Sequence, residues 1–244
     1  MKRRPNNGRI NSLEVSGMPL AGLRGLLAED FNGDISPAAL RHILTICDAL
    51  WLHSGDPALP HAELTSGKCS NGFVDVLRVL QYPNLCELLA CQLVMKLEAT
   101  YRGPIHWAVG SDHAGATISY AVANWLLAKH AFTEKGLDKT QLWKRFVIEP
   151  EEVVLQVEDL VTTLGTLRAV REGIRQGNPH PVTFAPVVLT LVHRSDVYEF
   201  EGAPIVYLAH YDIQTWSPEE CPLCKAGSVR LRPKENWAKL TGQE

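Results

Sequence analysis

Residues 153–166 read VVLQVEDLVTTLGT, and their order decides the fold. The apolar, β-branched run VVLQV leads into Glu158 and Asp159, then through Leu160 and Val161 to Thr162, Thr163, Leu164, Gly165 and Thr166. The amphipathic stretch TLRAVREGIRQG follows. This predicts a strand, a turn and a helix N-terminus. Three threonine hydroxyls, the N–H groups freed by the turn and the positive end of the helix dipole make a compact anion site, suited to a phosphomonoester. Glu158 and Asp159 are expected at the C-terminal end of a parallel strand, where such sheets meet their ligands. There they could accept hydrogen bonds from vicinal ribose hydroxyls. The bland alternative makes the acids ordinary strand-end carboxylates and the threonines helix caps. The single ordered run of strand, acids and T-T-x-G-T turn argues against it.

Outward from this motif, strand-like and helix-like segments alternate. IHWAVG, HAFT, EEVVLQV, PVVLTLVH and IVYLAHY read as strands, and ATISYAVANWLLAKH and TLRAVREGIRQG as helices between them. Such alternation predicts right-handed βαβ units around a mainly parallel sheet, the α/β class. Upstream, Ser36 and Pro37 open a helix expected to run through PAALRHILTICDALWL, and Pro83 opens a second one ending near Leu97. Between them, HAELTSGKCSNGFVDVLRVL predicts two short strands flanking the turn SGKCSNG. Residues 1–34, rich in Gly, Asn, Pro and Arg, are expected to form an irregular or partly disordered arm.

At 244 residues and 45% apolar content, the chain can bury one substantial core. A net charge of −3 with dispersed cations gives no footprint for nucleic acid, so anionic ligands must be held locally. No apolar run reaches the ~18 residues needed to span a bilayer, and the N-terminal stretch has no apolar signal core. The six cysteines lie partly within apolar helical pattern, which predicts reduced thiols and a cytoplasmic location.

The motif resembles the phosphoribosyl pyrophosphate motif of type I phosphoribosyltransferases. The resemblance extends over about residues 60–230: TSGKCSNGFVDV is similar to the hood of orotate phosphoribosyltransferases, and LQYP and PEECPLCKAG are similar to their bacterial branch. It implies a central mainly parallel sheet flanked by helices, with a small hood and an N-terminal helical extension. The corresponding divisions are the arm (1–34), the N-terminal helix and hood (35–82), the core (83–216) and the CPLC tail (217–244). The implied reaction transfers ribose 5-phosphate from phosphoribosyl pyrophosphate to orotate, with Mg2+ as cofactor, in a cytoplasmic homodimer. Glu158, Asp159, Thr162, Thr163, Gly165 and Thr166 would hold the phosphoribosyl group, with Asp159 also counted as catalytic. The basic segment 134–146 would be a lid, mobile in the family and reaching a neighbouring subunit's site. Lys135 is its leading catalytic lysine, Lys139 its second, and Lys144 and Arg145 further cations; a solvated hairpin is the alternative for each. Lys68, Thr162 and Arg194 would build the acceptor side, where a guanidinium offers paired donors to the orotate edge. A surface ion pair is the alternative for Arg194.

The loop 110–115 departs from the family pattern. Its counterpart binds pyrophosphate, so Ser111 and His113 are candidate contacts, but Asp112 stands in an anion site. Its carboxylate either points away, binds magnesium, or marks a changed task. The family's strand-Asp-Arg becomes His193-Arg194, and Cys69 stands where a hood lysine or histidine is frequent. These departures leave two other readings open: a phosphoribosyltransferase for another base, or a protein that senses the donor or a nucleotide without turnover. Cys221 and Cys224 offer two of the four ligands zinc requires. The expectation is a reduced structural turn and no metal, unless a distant His or a second subunit completes the set.

Overall fold

The computed structural model describes residues 9–243. Its first elements are short helices at Ser12–Val15 (α1) and Leu20–Leu23 (α2), followed by Pro37–Ile46 (α3). Ser36 Oγ accepts the Ala39 N–H at 3.2 Å, and Pro37 costs the first turn nothing because its missing N–H would have been an orphan. The helix ends at Ile46, six residues short of the expected end. The backbone reverses at Asp48 (φ 56°), and Leu50–Leu52 becomes strand β1.

The hood follows as His61–Glu63 (β2), Cys69–Ser70 (β3) and Gly72–Val74 (β4), with β4 antiparallel to β1. The expected strand over DVLRVL is instead the helical turn Leu77–Leu80 (α4), which buries Val79 and Leu80 together. The core elements are Pro83–Thr100 (α5), Trp107–Gly110 (β5), Ala114–Leu126 (α6), Lys129–Phe132 (β6), Glu134–Lys135 (β7), Gln141–Leu142 (β8), Val153–Val161 (β9) and Gly165–Gly177 (α7). Thr183–His193 (β10), Glu199–Phe200 (β11), Ala203–His210 (β12) and Thr215–Trp216 (β13) complete them, and Pro222–Lys225 (α8), Arg230–Leu231 (β14) and Trp237–Thr241 (α9) form the tail.

The central sheet has the order β11-β12-β10-β9-β5-β6, parallel throughout except for β11 at one edge. Its strands are apolar on both faces because helices cover both. Leu155, Val157, Leu189 and Leu191 pack with α3, α5 and α6. Val154 packs with Val170 and Ile174 of α7 and with Trp143. The C-terminal ends of β5, β9 and β10 therefore open on one edge, where the loops beginning at Ser111, Thr162 and Arg194 meet.

Two of the expected divisions change. The arm is ordered from residue 9: Val15, Leu23, Leu26 and Phe31 are buried in the main core, and Asn84 of α5 donates to the carbonyls of Leu23 and Leu26, each at 2.8 Å. Residues 1–8 lie outside the described residues. The tail does not stand apart from the hood, because a second sheet has the order β13-β3-β2-β14. Leu240 closes over Trp51, whose Nε1–H donates to its carbonyl at 2.9 Å.

Candidate active site

Strand β9 does not end before its acids. It runs on to Val161, so Glu158 and Asp159 are consecutive strand residues and face opposite ways. Glu158 is 1% exposed and turns under the loop 110–115, where Ser111 Oγ donates to Oε2 at 2.6 Å. Burial pushes its carboxyl up to about 8 against the hydrogen bond from Ser111, and Oε1 has no partner. Glu158 thus braces the loop from below and lines neither of the clefts described next. Gly115 makes the approach possible, since a Cβ there would stand 2.6 Å from Ser111 Oγ and 2.8 Å from Glu158 Oε2. Asp159 is half-buried. Burial pushes its carboxyl up to about 6, the N–H groups of Asp159 and Leu160 oppose the shift, and the Asp75 charge adds to it.

Beyond β9, Thr162, Thr163, Gly165 and Thr166 are exposed at the head of α7. No side chain caps the helix at Leu164; the Gly165 N–H reaches Thr163 Oγ1 at 3.4 Å. The expected anion cradle is thus open to solvent, and helix capping does not use up its hydroxyls.

Two clefts meet at Thr163. One, of about 540 Å³, is lined by Ser111, Asp112, Lys135, Lys139, Gln141, Thr163, Gly165, Thr166 and Ala169. The other, of about 440 Å³, is lined on one side by Ser66, Lys68, Thr162 and Thr163 and on the other by Arg194 and the segments after β10 and β12. Of the expected site residues, Ser111, Lys135, Lys139, Gly165 and Thr166 line the first cleft, Lys68, Thr162 and Arg194 the second and Thr163 both, whereas Glu158, Asp159 and His113 line neither.

The basic segment splits into two roles. Lys144 and Arg145 both pair with Glu134, at 3.2 and 2.8 Å, and so hold the hairpin together. Lys135 and Lys139 form no ion pair among the described residues and face the larger cleft of their own chain. The base of the hairpin is seated on α7: a Cβ on Gly173 would come within 2.1 Å of the Gln141 carbonyl oxygen, and Trp143 is buried.

Asp112 neither points away nor stands bare. Its Oδ1 accepts from Gln141 Nε2 at 3.1 Å, and Oδ2 lies 2.8 Å from His113 Nδ1. Burial pushes its carboxyl up, but the hydrogen bonds from Gln141 and His113 outweigh it and leave the pKa below the ordinary value. Asp112 thus ties the loop to the hairpin through β8. His113 is exposed, holds φ 61° at the start of α6 and lines neither cleft. Asp112 is its hydrogen-bond partner.

Arg194 is half-buried, and no carboxylate among the described residues pairs with it. Burial holds its guanidinium below the usual arginine value. The ion-pair alternative fails for this residue. His193 is a core residue: fully buried, it stacks on Tyr207 with centroids 5.2 Å apart, and its Nε2–H donates to the Val197 carbonyl at 3.0 Å.

Sequence reading missed the partners of the CPLC pair. The pairing of β2 with β3 brings His61 and Cys69 to Cys221 and Cys224, and the donor atoms of all four lie within 4.8 Å of one another. No spacing signal joins residues some 150 positions apart, so this cluster could be found only in three dimensions.

No family model matches the chain. The orotate phosphoribosyltransferase of Caldicellulosiruptor bescii is 33% identical over 173 residues, which is 71% of this chain and 87% of that relative. That of Pelotomaculum thermopropionicum is 34% identical over 186 residues, covering 76% and 94%. Among solved structures, the UMP synthase of Leishmania donovani aligns with a TM-score of 0.51 at 16% identity, over 84% of this chain and 41% of that one. At that identity the likeness establishes the fold alone.

Proposed function

Since the chain belongs to the orotate phosphoribosyltransferase family, we propose that its reaction takes place where the two clefts meet at Thr163. It transfers ribose 5-phosphate from phosphoribosyl pyrophosphate to orotate, giving orotidine 5′-phosphate and pyrophosphate, a step of pyrimidine biosynthesis. The observation that carries the assignment of sides is the sorting of cations: Lys135 and Lys139 line one cleft, Lys68 and Arg194 the other.

In this reading the 5-phosphate lies on the exposed turn 162–166, against the N–H groups of α7 and the threonine hydroxyls. Asp159 lies beneath the ribose. As the C1–O bond to pyrophosphate breaks, negative charge grows on the leaving group, and Lys135 and Lys139 would stabilise it. Arg194 and Lys68 hold orotate so that its ring nitrogen forms the new bond to C1 and its proton passes to the departing pyrophosphate. The hairpin tip closing over the larger cleft would keep water from the cationic ribose.

Magnesium is part of the proposal. The donor set fits it: burial first, and the Asp75 charge after it, disfavour the ionised form of Asp159, a form that a hard cation with oxygen ligands would favour. Asp159 together with substrate oxygens would hold the ion, which when bound supplies neutralising charge for the leaving pyrophosphate. A cytoplasmic homodimer is likewise proposed on the strength of the family. Among the described residues no helix is long and apolar enough to cross a membrane.

The test is orotate-dependent release of pyrophosphate by the purified chain with magnesium and donor. Stoichiometric orotidine 5′-phosphate is expected. Turnover with another base and none with orotate would overturn the acceptor assignment. Donor binding without any product would favour a sensor.

A further inference from the structure

We propose that His61, Cys69, Cys221 and Cys224 form a structural zinc site that rivets the C-terminal tail to the hood. The four donors come from three separate stretches of chain: β2, β3 and the turn opening α8. Three of them are buried and Cys224 is half-buried.

The geometry has the dimensions of a tetrahedron. With Zn–S about 2.3 Å and Zn–N about 2.0–2.1 Å, the tetrahedral edges are roughly 3.8 Å between sulfurs and 3.6 Å between sulfur and nitrogen. The Sγ atoms of Cys69 and Cys224 lie 3.5 Å apart, and His61 Nε2 lies 3.6 Å from Cys221 Sγ and 3.4 Å from Cys224 Sγ.

The surroundings fix the histidine in the form a cation needs. Ser228 Oγ donates its hydrogen to the Leu59 carbonyl at 2.6 Å, so it can only accept from His61 Nδ1–H, 2.8 Å away. The proton is thereby committed to Nδ1, and the bare lone pair of Nε2 faces the three sulfurs. On the other side, the Cys224 N–H points at Cys221 Sγ across 3.5 Å, where it would offset thiolate charge. Three sulfurs and one imidazole, without a nearby carboxylate in the cluster, suit zinc over harder divalent ions. Four protein donors leave no open position, so the ion is structural.

Its consequence for the substrate pocket follows from chain order. Cys69 pairs with Glu63 and Trp216 in the hood sheet, and the turn between β2 and β3 presents Leu64, Ser66 and Lys68 to the smaller cleft. Fixing Cys69 and His61 fixes both ends of the strand pair that carries Lys68.

The full chain, purified under reducing conditions and desalted, is expected to contain one zinc per chain by elemental analysis. Exchange with cobalt should give the intense visible absorption of a tetrahedral thiolate site together with sulfur-to-cobalt charge transfer. Cys224→Ser and His61→Ala should lose the metal. Cys91→Ser, which alters a buried thiol of α5, should keep it. Chelation of the wild-type protein should lower its Tm and raise KM for orotate more than KM for the donor. Wild-type protein without stoichiometric zinc and without the cobalt spectrum would overturn the proposal, even if the variants fail to fold. So would iron in place of zinc, or a Cys69–Cys224 disulfide in metal-free protein seen as a 2 Da mass loss.

Discussion

Arg194→Ala removes a half-buried guanidinium that no carboxylate neutralises among the described residues. Burial holds its pKa below the arginine value, so the fold bears a desolvation cost for this charge that an anionic ligand would offset. A charge-assisted contact of this type is worth about 1.5–3 kcal/mol. At about 1.4 kcal/mol per tenfold, kcat/KM for orotate should fall roughly 10- to 150-fold. Initial velocities, followed by the loss of orotate absorbance with each substrate varied in turn, should place the change in KM for orotate and leave KM for the donor nearly unchanged. The Tm of the ligand-free variant should not drop, because the substitution removes an uncompensated buried charge. Arg194→Lys should recover part of the activity, since it restores charge without the paired donors. An unchanged KM for orotate with a raised KM for the donor would refute the assignment of the smaller cleft to the acceptor.

Three further expectations follow from the geometry. Glu158 has a folded pKa raised to about 8 from an ordinary 4.5, so the native state binds the extra proton between those values. Its contribution to stability is complete below pH ~4.5 and is lost as the pH rises toward ~8; urea titrations across this window should show the decline, and Glu158→Gln should flatten it. Gly115→Ala would put a Cβ 2.6 Å from Ser111 Oγ and 2.8 Å from Glu158 Oε2. Overpacking of this kind costs about 1–3 kcal/mol, read as a lower denaturation midpoint, with kcat falling as the loop is displaced. Lys135→Ala should reduce kcat by about 10²-fold, the low end for removal of a transition-state donor, while KM for orotate stays within about twofold. Lys144→Ala, which removes only one of two Glu134 partners, should change kcat much less.

The strand, turn and helix of residues 153–177 were legible in the sequence because all their parts are local: an apolar run, hydroxyls, a glycine and an amphipathic helix within 25 residues. Lys135 and Lys139 were legible as basic residues beside a strand, but their separation from Lys144 and Arg145 depends on Glu134, whose two ion pairs form only when the hairpin closes. The opposed directions of Glu158 and Asp159 follow from strand alternation once both are placed inside β9; setting them beyond its end concealed this. The ordered arm escaped because its buried Val15, Leu23, Leu26 and Phe31 are scattered among glycines and turns, and α3 and α5 supply the surface they cover. The partners of Cys221 and Cys224 escaped for the opposite reason: their proximity is a product of hood topology alone.

A crystal structure with orotidine 5′-phosphate bound is the most direct test of the division of the site at Thr163. The account predicts the phosphate within hydrogen-bonding distance of the 162–166 turn and the orotate carboxylate against Arg194 in the hood-side cleft. A phosphate seated away from that turn, or a base lying in the cleft of Lys135 and Lys139, would contradict it.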